Sequence, residues 1–363
     1  MLQTKTVVDA TTGLAIKAIG REGADTSHYY FTAMTWLNDS RHLVLQTNID
    51  RETLSGTTVL FDTETGITKV LEEESVWGSG IVSSDDWLYV IRGNELHALH
   101  PLSGARRTVC RLGADCTFHG PPSITNDGRT LGLYWARQTK KEAAEEGAAG
   151  GTEWIVGTVD AATGEVKEAI RPQFAEPYPV ANHAMINPVD PEQIFFSHEG
   201  KTEHIPDRLW VADVGTQRMR NLFAQKRRGD GTHVEYVGHE MWAYDGSGLV
   251  FVKYPHSPDR PTGVWFVDRS GGASFVNGDY RYWHVGISPD GKHAAADTQE
   301  PGIAKIVLID MATKRSRLLC ELPCRGRHPA HPHPSFSPDS RKVTFSFTDE
   351  RDDLWVGVMA VPN

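Results

Sequence analysis

The stretch SPDSRKVTFSF, residues 337–347, is a turn followed by a short strand, and repetition of this unit decides the fold. Ser, Pro and Asp favour tight turns, and the alternating side chains of KVTFSF are typical of a β-strand. The unit recurs seven times, as NDSRHLVLQ from Asn38, SSDDWLYVI from Ser83, TNDGRTLGLYW from Thr125, VDPEQIFFSH from Val189, YDGSGLVFVKY from Tyr244, SPDGKHAAADT from Ser288 and SPDSRKVTFSF from Ser337.

The copies are spaced as the blades of a β-propeller are. Most copies are followed, after a loop, by a strand–turn–strand element such as GVWFVDRSGGASFV, which begins at Gly263. Antiparallel units of about four strands, repeated every 40–50 residues or so, are the sequence pattern of a propeller. We therefore expect an all-β, seven-bladed β-propeller that forms a single domain over residues 1–363.

The two ends of the chain are predicted to share one blade. The last copy ends in DLWVGVMAVPN with no second hairpin strand after it, whereas TVVDATTGLAIKAI, from Thr6, is a strand–turn–strand element without a blade of its own. We expect the N-terminal segment to join the last blade and close the ring. Residues 140–151, KKEAAEEGAAGG, lengthen the spacing after the third copy and are predicted to be a mobile surface insertion of unknown role.

Composition limits the partners of the protein. The formal net charge of −10 argues against a nucleic-acid partner, which usually requires a basic face. An anionic ligand would need a concentrated positive site, supplied by local cations or a metal ion. The start of the chain, MLQTKTVVDATTG, has no apolar segment of a signal peptide, and no apolar run has the length of a membrane helix. We expect a cytoplasmic protein without a membrane partner, whose four cysteines are reduced and mostly buried.

Three histidines lie close together in RHPAHPHP, residues 327–334. Imidazole is the commonest metal ligand among side chains and carries protons near neutral pH. In an extended segment His331 and His333 would point to the same face, because side chains alternate with period two. The neighbouring prolines restrict the backbone and so reduce the entropy lost when a site is ordered. This segment, which also contains His328, is predicted to bind a metal ion.

Other histidines occupy corresponding positions around the predicted ring. His183, His239 and His284 precede or begin a turn–strand unit, as His331 and His333 do, where the chain passes near the central axis. A position repeated around a ring brings residues that are distant in sequence to one funnel. We therefore expect these imidazoles to converge.

A second group of polar residues lies in FFSHEGKTEHIPDRLW, residues 195–210. It contains His198, Glu199 and Arg208, and the planar guanidinium of Arg208 is suited to binding a carboxylate. The alternative is that Arg208 forms an ion pair with Glu199 or Asp207.

The motifs taken together resemble the oligogalacturonate lyases, polysaccharide lyase family 22. The similarity runs in order from about residue 25 to residue 347. It is carried by SHYYFT, HAMINPVDPEQIFFSHEG, DRLW, HEMWAYDGSGLVFVKY, YWHVGISPDG and HPHPSFSPD. The family fold is a seven-bladed β-propeller, which agrees with the repeat count above.

The resemblance also implies roles for individual residues. It implies metal binding by His284, His331 and His333, and a glutamine ligand of the family corresponds to His328. It implies that His239 is the catalytic base and that Arg208 acts on the substrate beside it. Mn²⁺ is the expected metal; four histidines form a softer ligand set, so Zn²⁺, Ni²⁺ or Fe²⁺ are alternatives. We expect the residues that contact substrate to be His183, His198 and Glu199.

The expected function is metal-dependent cleavage of short 4-linked oligogalacturonates by β-elimination, which gives 4,5-unsaturated uronate products. One alternative is a lyase of the same mechanism that acts on another uronate-containing oligosaccharide. Another is a non-catalytic propeller that binds a sugar or a protein, because a fold does not fix a function. A serine hydrolase is disfavoured by the absence of a G-x-S-x-G motif.

Overall fold

The chain forms seven antiparallel β-sheets, as the repeats predict. A computed structural model describes residues 1–139 and 151–362. Six sheets have four strands and one has five. No helix in the described part of the chain is long and apolar enough to cross a membrane.

The strands are numbered in chain order. The N-terminal pair is β1 (Gln3–Val8) and β2 (Ala15–Gly20). Blades 1 to 3 consist of β3 (Thr26–Ser27), β4 (His42–Thr47), β5 (Ser55–Asp62) and β6 (Thr68–Val76); β7 (Gly80–Val82), β8 (Leu88–Arg92), β9 (Glu95–Leu99) and β10 (Arg106–Arg111); and β11 (Cys116–Ile124), β12 (Thr130–Thr139), β13 (Gly151–Asp160) and β14 (Val166–Ile170).

The later blades follow the same order. Blades 4 to 6 consist of β15 (Val180–Asn187), β16 (Asp190–Glu199), β17 (Leu209–Asp213) and β18 (Arg218–Phe223); β19 (Val237–Trp242), β20 (Gly248–Lys253), β21 (Gly263–Asp268) and β22 (Ala273–Asn277); and β23 (Tyr282–Ile287), β24 (His293–Thr298), β25 (Ile303–Asp310) and β26 (Ser316–Pro323). Blade 7 contains β27 (Ser335–Phe336), β28 (Lys342–Thr348) and β29 (Leu354–Ala360), followed by β2 and β1.

The predicted closure of the ring by the N-terminus is confirmed. Strand β2 pairs antiparallel with β29, with Ala18 opposite Gly357. Gly20, at the end of β2, packs directly on the indole of Trp355; a Cβ there would lie 2.6 Å from the ring, so only glycine fits. Each additional strand pair buries apolar side chains and satisfies backbone groups, so the two chain ends stabilise one another.

Charged groups also join blade 7 to blade 1. Asp25 is buried and accepts hydrogen bonds from Arg51 at 2.8 Å, from Arg325 at 2.7 Å and from the backbone N–H of Leu354 at 2.9 Å. Arg325 begins the segment that leads to the histidine cluster. The contact therefore fixes one end of that segment to the first blade.

Two further predictions concern the insertion and the cysteines. The predicted insertion at 140–151 lies outside the described residues except for Gly151, which begins β13. The four cysteines are free thiols, and three of them are buried, as expected.

Candidate metal centre and active site

Three histidines from two neighbouring blades meet at one end of the ring. His284 lies on β23 of blade 6, and His331 and His333 lie in the segment before β27 of blade 7. One ring nitrogen from each lies within 4.8 Å of the other two. The ring centroids of His284 and His333 are 4.4 Å apart. The predicted convergence of these three residues is therefore observed.

The nitrogens of this group are suited to a divalent metal ion. His284 Nε2, His331 Nδ1 and both ring nitrogens of His333 are buried and have no hydrogen-bond partner among the described residues. Unpaired polar atoms are costly in a protein interior, so such a group usually has a ligand that the protein atoms do not supply. Neutral imidazoles are common ligands of transition metals.

A buried carboxylate orients this group of three histidines. Asp297, on β24, accepts a hydrogen bond from His284 Nδ1 at 2.8 Å and from the backbone N–H groups of His284 and His333 at 2.7 and 3.2 Å. The proton on Nδ1 leaves the Nε2 lone pair of His284 free for a metal. Burial raises the pKa of the Asp297 carboxyl to about 7. This residue was not predicted from the sequence, although an acid within the apolar strand HAAADT was a signal.

His331 and His333 converge for a reason other than the one expected. The sequence predicted an extended segment, but His333 has a φ of 49°, which turns the backbone between the two rings. The intervening Pro332 carbonyl accepts hydrogen bonds from His28 Nε2 at 3.0 Å and from the backbone N–H of Ser346 at 2.9 Å. His28 follows β3 of blade 1 and was also missed. It holds the segment in its bent form.

His328 lies beside the group of three without joining it. Its ring is parallel to that of His333, with centroids 5.1 Å apart, and its centroid is 4.7 Å from that of His331. Its nitrogens fall outside the set that lies within 4.8 Å. The role of His328 as a fourth ligand stays a prediction.

A repeated backbone irregularity places histidines along the axis. The pairing of the innermost strand with its neighbour shifts at Asn182/Met185 in blade 4, at Gly238/Met241 in blade 5 and at Tyr282/Val285 in blade 6. Each shift contains a histidine, namely His183, His239 and His284. Bulges commonly redirect a side chain, and His183 and His239 have φ values of 49° and 54°. The three histidines inferred from the sequence to occupy equivalent positions therefore lie in bulges at the same place in blades 4, 5 and 6.

His239 lies next to the group of three histidines. Its ring centroid is 4.0 Å from that of His284. Its Nδ1 donates a hydrogen bond to the Trp283 carbonyl, which can only accept, so Nε2 carries the free lone pair. Burial, then the neighbouring His284 and Arg208, hold the pKa of His239 well below its usual value. The imidazole is therefore neutral at physiological pH, as a base must be.

Arg208 is held between two carboxylates. Its Nε donates to Glu240 Oε1 at 2.7 Å, and Nη1 and Nη2 each lie 3.0 Å from a Glu199 oxygen. Burial opposes ionisation of Glu199, but Arg208 outweighs it and lowers the pKa of Glu199 to about 2. The alternative partner from the sequence, Asp207, binds Arg227 instead at 2.7 Å.

One guanidinium lies here between two carboxylates, so Arg208 alone does not make the site positive. Burial holds the pKa of His239, His284 and His333 well below the usual value, so these imidazoles are neutral. The concentrated positive site that the sequence predicts would therefore depend on a metal ion, and it stays a prediction. Glu240, adjacent to His239 in the sequence, was missed as the second partner of Arg208.

Most of the predicted site residues line one cavity of about 700 Å³. They are His183, Glu199, Arg208, His239 and His328, together with Tyr30 and Tyr254, which the sequence analysis had not proposed. Burial raises the pKa of both tyrosines, so they remain protonated and can donate hydrogen bonds. His183 Nε2 lies 3.8 Å from Glu199.

His198 is an exception among the predicted substrate contacts. Its ring stacks on Phe174 with centroids 3.8 Å apart, and its Nε2 donates to the Tyr178 carbonyl at 2.9 Å. It is buried outside the cavity, so its position indicates a structural role. Neighbouring residues of a strand point to opposite faces, and Glu199 takes the face toward the cavity.

Comparison with known proteins supports the resemblance. No protein-family model matches the sequence. The chain is 26% identical over 185 residues to an oligogalacturonide lyase of Pectobacterium atrosepticum, covering 45% of this chain and 46% of the relative. The matched region thus spans about half the length of the curated relatives.

Two solved structures resemble the whole chain. One is an oligogalacturonate lyase in complex with manganese, with a TM-score of 0.82 and 20% identity, covering 100% of this chain and 97% of that chain. The other is an oligogalacturonate lyase from Vibrio parahaemolyticus, with a TM-score of 0.83 and 18% identity, covering 100% and 98%. The seven-bladed fold is confirmed by these similarities.

Proposed function

We propose that the chain is a metal-dependent lyase that cleaves short 4-linked oligogalacturonates by β-elimination. The observation that carries the proposal is the set of unpaired nitrogens of His284, His331 and His333 beside the neutral imidazole of His239. The similarity to proteins named as oligogalacturonate lyases supports the substrate class.

His284, His331 and His333 would hold the metal ion, with His328 as a candidate fourth ligand. We propose Mn²⁺, by similarity to the manganese complex, although an all-imidazole set also suits Zn²⁺, Ni²⁺ or Fe²⁺. When bound, the ion would act as a Lewis acid that neutralises the carboxylate next to the reacting carbon.

His239 removes the proton in the proposed reaction. Its Nε2 accepts the C5 proton of the uronate; the C5–H electrons form the C4–C5 double bond, and the C4–O bond breaks with its electron pair on oxygen. General-base assistance of this kind contributes about 10²–10⁴-fold to the rate. The hydrogen bond from Nδ1 to the Trp283 carbonyl keeps the ring in the required tautomer.

Arg208 provides a fixed cation near the base. Glu199 and Glu240 bind its guanidinium from two sides and prevent it from reorienting. Its charge favours the neutral form of His239 and opposes the negative charge that develops on the substrate. His183 and Glu199, which line the cavity, are proposed to contact the sugar hydroxyl groups.

Two measurements test the proposal. Elemental analysis of the purified protein should find about one transition-metal ion per chain. Ultraviolet absorbance of the unsaturated product should then rise with galacturonate oligomers, and more strongly than with glucuronate-containing or rhamnose-linked uronides. A protein with no bound metal and no turnover on any uronide would instead be a non-catalytic propeller.

A further inference from the structure

The cavity extends away from the metal-binding histidines into a lobe formed by blades 1, 2 and 3. This lobe is lined by residues 74–79, 90–93 and 118–121. The whole cavity, from its reactive end at Arg208 and His239 to this lobe, has a volume of about 700 Å³. This volume falls within the range of about 300–1,000 Å³ that accommodates drug-sized ligands. Such a cavity has room for more than the sugar unit that reacts.

Trp77 lies at the junction between the reactive end and the lobe. Its ring centroid is 5.4 Å from that of His328 and 5.5 Å from that of His333. Its Nε1 donates to the His28 carbonyl at 2.8 Å, so the orientation of the indole is fixed. The side chain is half-buried and lines the cavity. A rigid aromatic face of this kind suits the apolar face of a sugar ring.

Arg92, at the end of β8, provides a cation in the lobe. Its Nη2 lies 2.6 Å from Glu72 Oε1, and Arg106 Nη1 approaches the same oxygen at 3.3 Å. Two guanidiniums therefore share one buried carboxylate, the reverse of the arrangement at Arg208. The Arg92 side chain is 46% exposed, so part of its donor fork is free. Glu74 also lines the lobe and opposes an anion there, but it is exposed and screened by solvent.

We propose that this lobe is a second saccharide subsite, in which Trp77 supports a sugar ring and Arg92 binds the carboxylate of a uronate unit that does not react. The inference rests on the proposed function and extends it to the recognition of the neighbouring unit. Guanidinium groups bind carboxylates through paired hydrogen bonds, and these are stronger than neutral ones.

Arg92→Gln and Arg106→Gln form a matched pair for the test. Both residues contact Glu72, but only Arg92 lines the cavity. We would measure kcat/KM on 4-O-methyl galacturonate, which carries one carboxylate, and on galacturonate oligomers of increasing length. Arg92→Gln should lower kcat/KM on oligomers about 10- to 100-fold, as expected for one lost charged hydrogen bond. It should leave the single-carboxylate substrate unchanged, and Arg106→Gln should leave both unchanged.

The proposal is overturned if Arg92→Gln has no effect at any length, if it lowers turnover equally on the single-carboxylate substrate, or if Arg106→Gln causes the same loss. Calorimetric binding of galacturonate oligomers gives the same comparison without turnover. Weaker binding by Arg92→Gln alone would support the subsite even if the wild-type protein failed to cleave any uronide. That failure would contradict the proposed function instead.

Discussion

Replacement of Asp297 by Asn should weaken metal binding while leaving the fold intact. The carboxylate accepts three hydrogen bonds, two through Oδ2 and one through Oδ1. An Asn amide has one acceptor oxygen, and its NH₂ group would face either the His284 backbone N–H or the pair formed by His284 Nδ1 and the His333 N–H. At least one donor would lose its partner in either orientation. If the NH₂ group faces Nδ1, His284 is also no longer held in the required tautomer.

The size of the effect follows from the contacts of Asp297, which supports the candidate ligands His284 and His333 through hydrogen bonds. Loss of such a supporting group typically lowers metal affinity about 10- to 100-fold, or about 1.4–2.8 kcal/mol. Folding stability should change less, for two opposing reasons. The variant loses hydrogen bonds, but it also removes a buried carboxyl whose pKa is raised to about 7 and whose ionised form is costly.

The assay is a calorimetric titration of metal-stripped protein with Mn²⁺ and with Zn²⁺ at neutral pH, with circular dichroism to verify the fold. Asp290→Asn is a suitable control, because Asp290 belongs to the same blade but accepts its hydrogen bonds from Ser288 and Lys292 in the turn after β23. Wild-type affinity in Asp297→Asn, or an equal loss in the control, would refute the assigned role.

Three further predictions concern the other site residues. His239→Ala should abolish turnover and retain the metal, whereas His331→Ala should lose both; elemental analysis and product absorbance would reveal any other pattern. Burial lowers the pKa of His28 to about 4. Between that pH and about 6.5 the unfolded chain binds more protons than the folded chain, so the free energy of unfolding falls as the pH decreases, by up to about 3 kcal/mol. Urea unfolding at several pH values should show a smaller decrease for His28→Gln. Glu240→Gln should lower kcat about 10- to 100-fold with the metal retained, because Arg208 loses a charged hydrogen bond; an unchanged kcat would show that Glu199 alone positions the guanidinium.

The fold could be predicted because its signals are local. Each blade repeats a turn and an alternating strand, and these depend on neighbouring residues in the sequence. The closure of the ring was also accessible, because a final blade without its last hairpin strand and an unpaired hairpin at the other end of the chain fit together. The packing of Gly20 on Trp355 was not accessible, since it depends on the register between β2 and β29.

The site was only partly predictable because its contacts cross between blades. The convergence of His284 with His331 and His333 followed from their repeated positions and from the family resemblance. Asp297 and His28 form hydrogen bonds with backbone groups of another strand or blade. The local sequence pattern around either residue does not predict such contacts. His198 and Glu199 could have been distinguished from the sequence, because they are adjacent on one strand and cannot both face the cavity.

The charges of the site bear on how an acidic protein could bind the anionic substrate proposed above. Arg208 contributes one positive charge and Glu199 and Glu240 contribute two negative charges, so these three groups sum to −1. A divalent ion on the neighbouring histidines would bring this sum to +1, or to zero when the buried Asp297 is ionised. The net charge of −10 would repel an anionic substrate at a distance, so attraction would have to be local. In the proposed function, the two carboxylates that fix Arg208 therefore make a metal ion important for binding the substrate as well as for its chemistry.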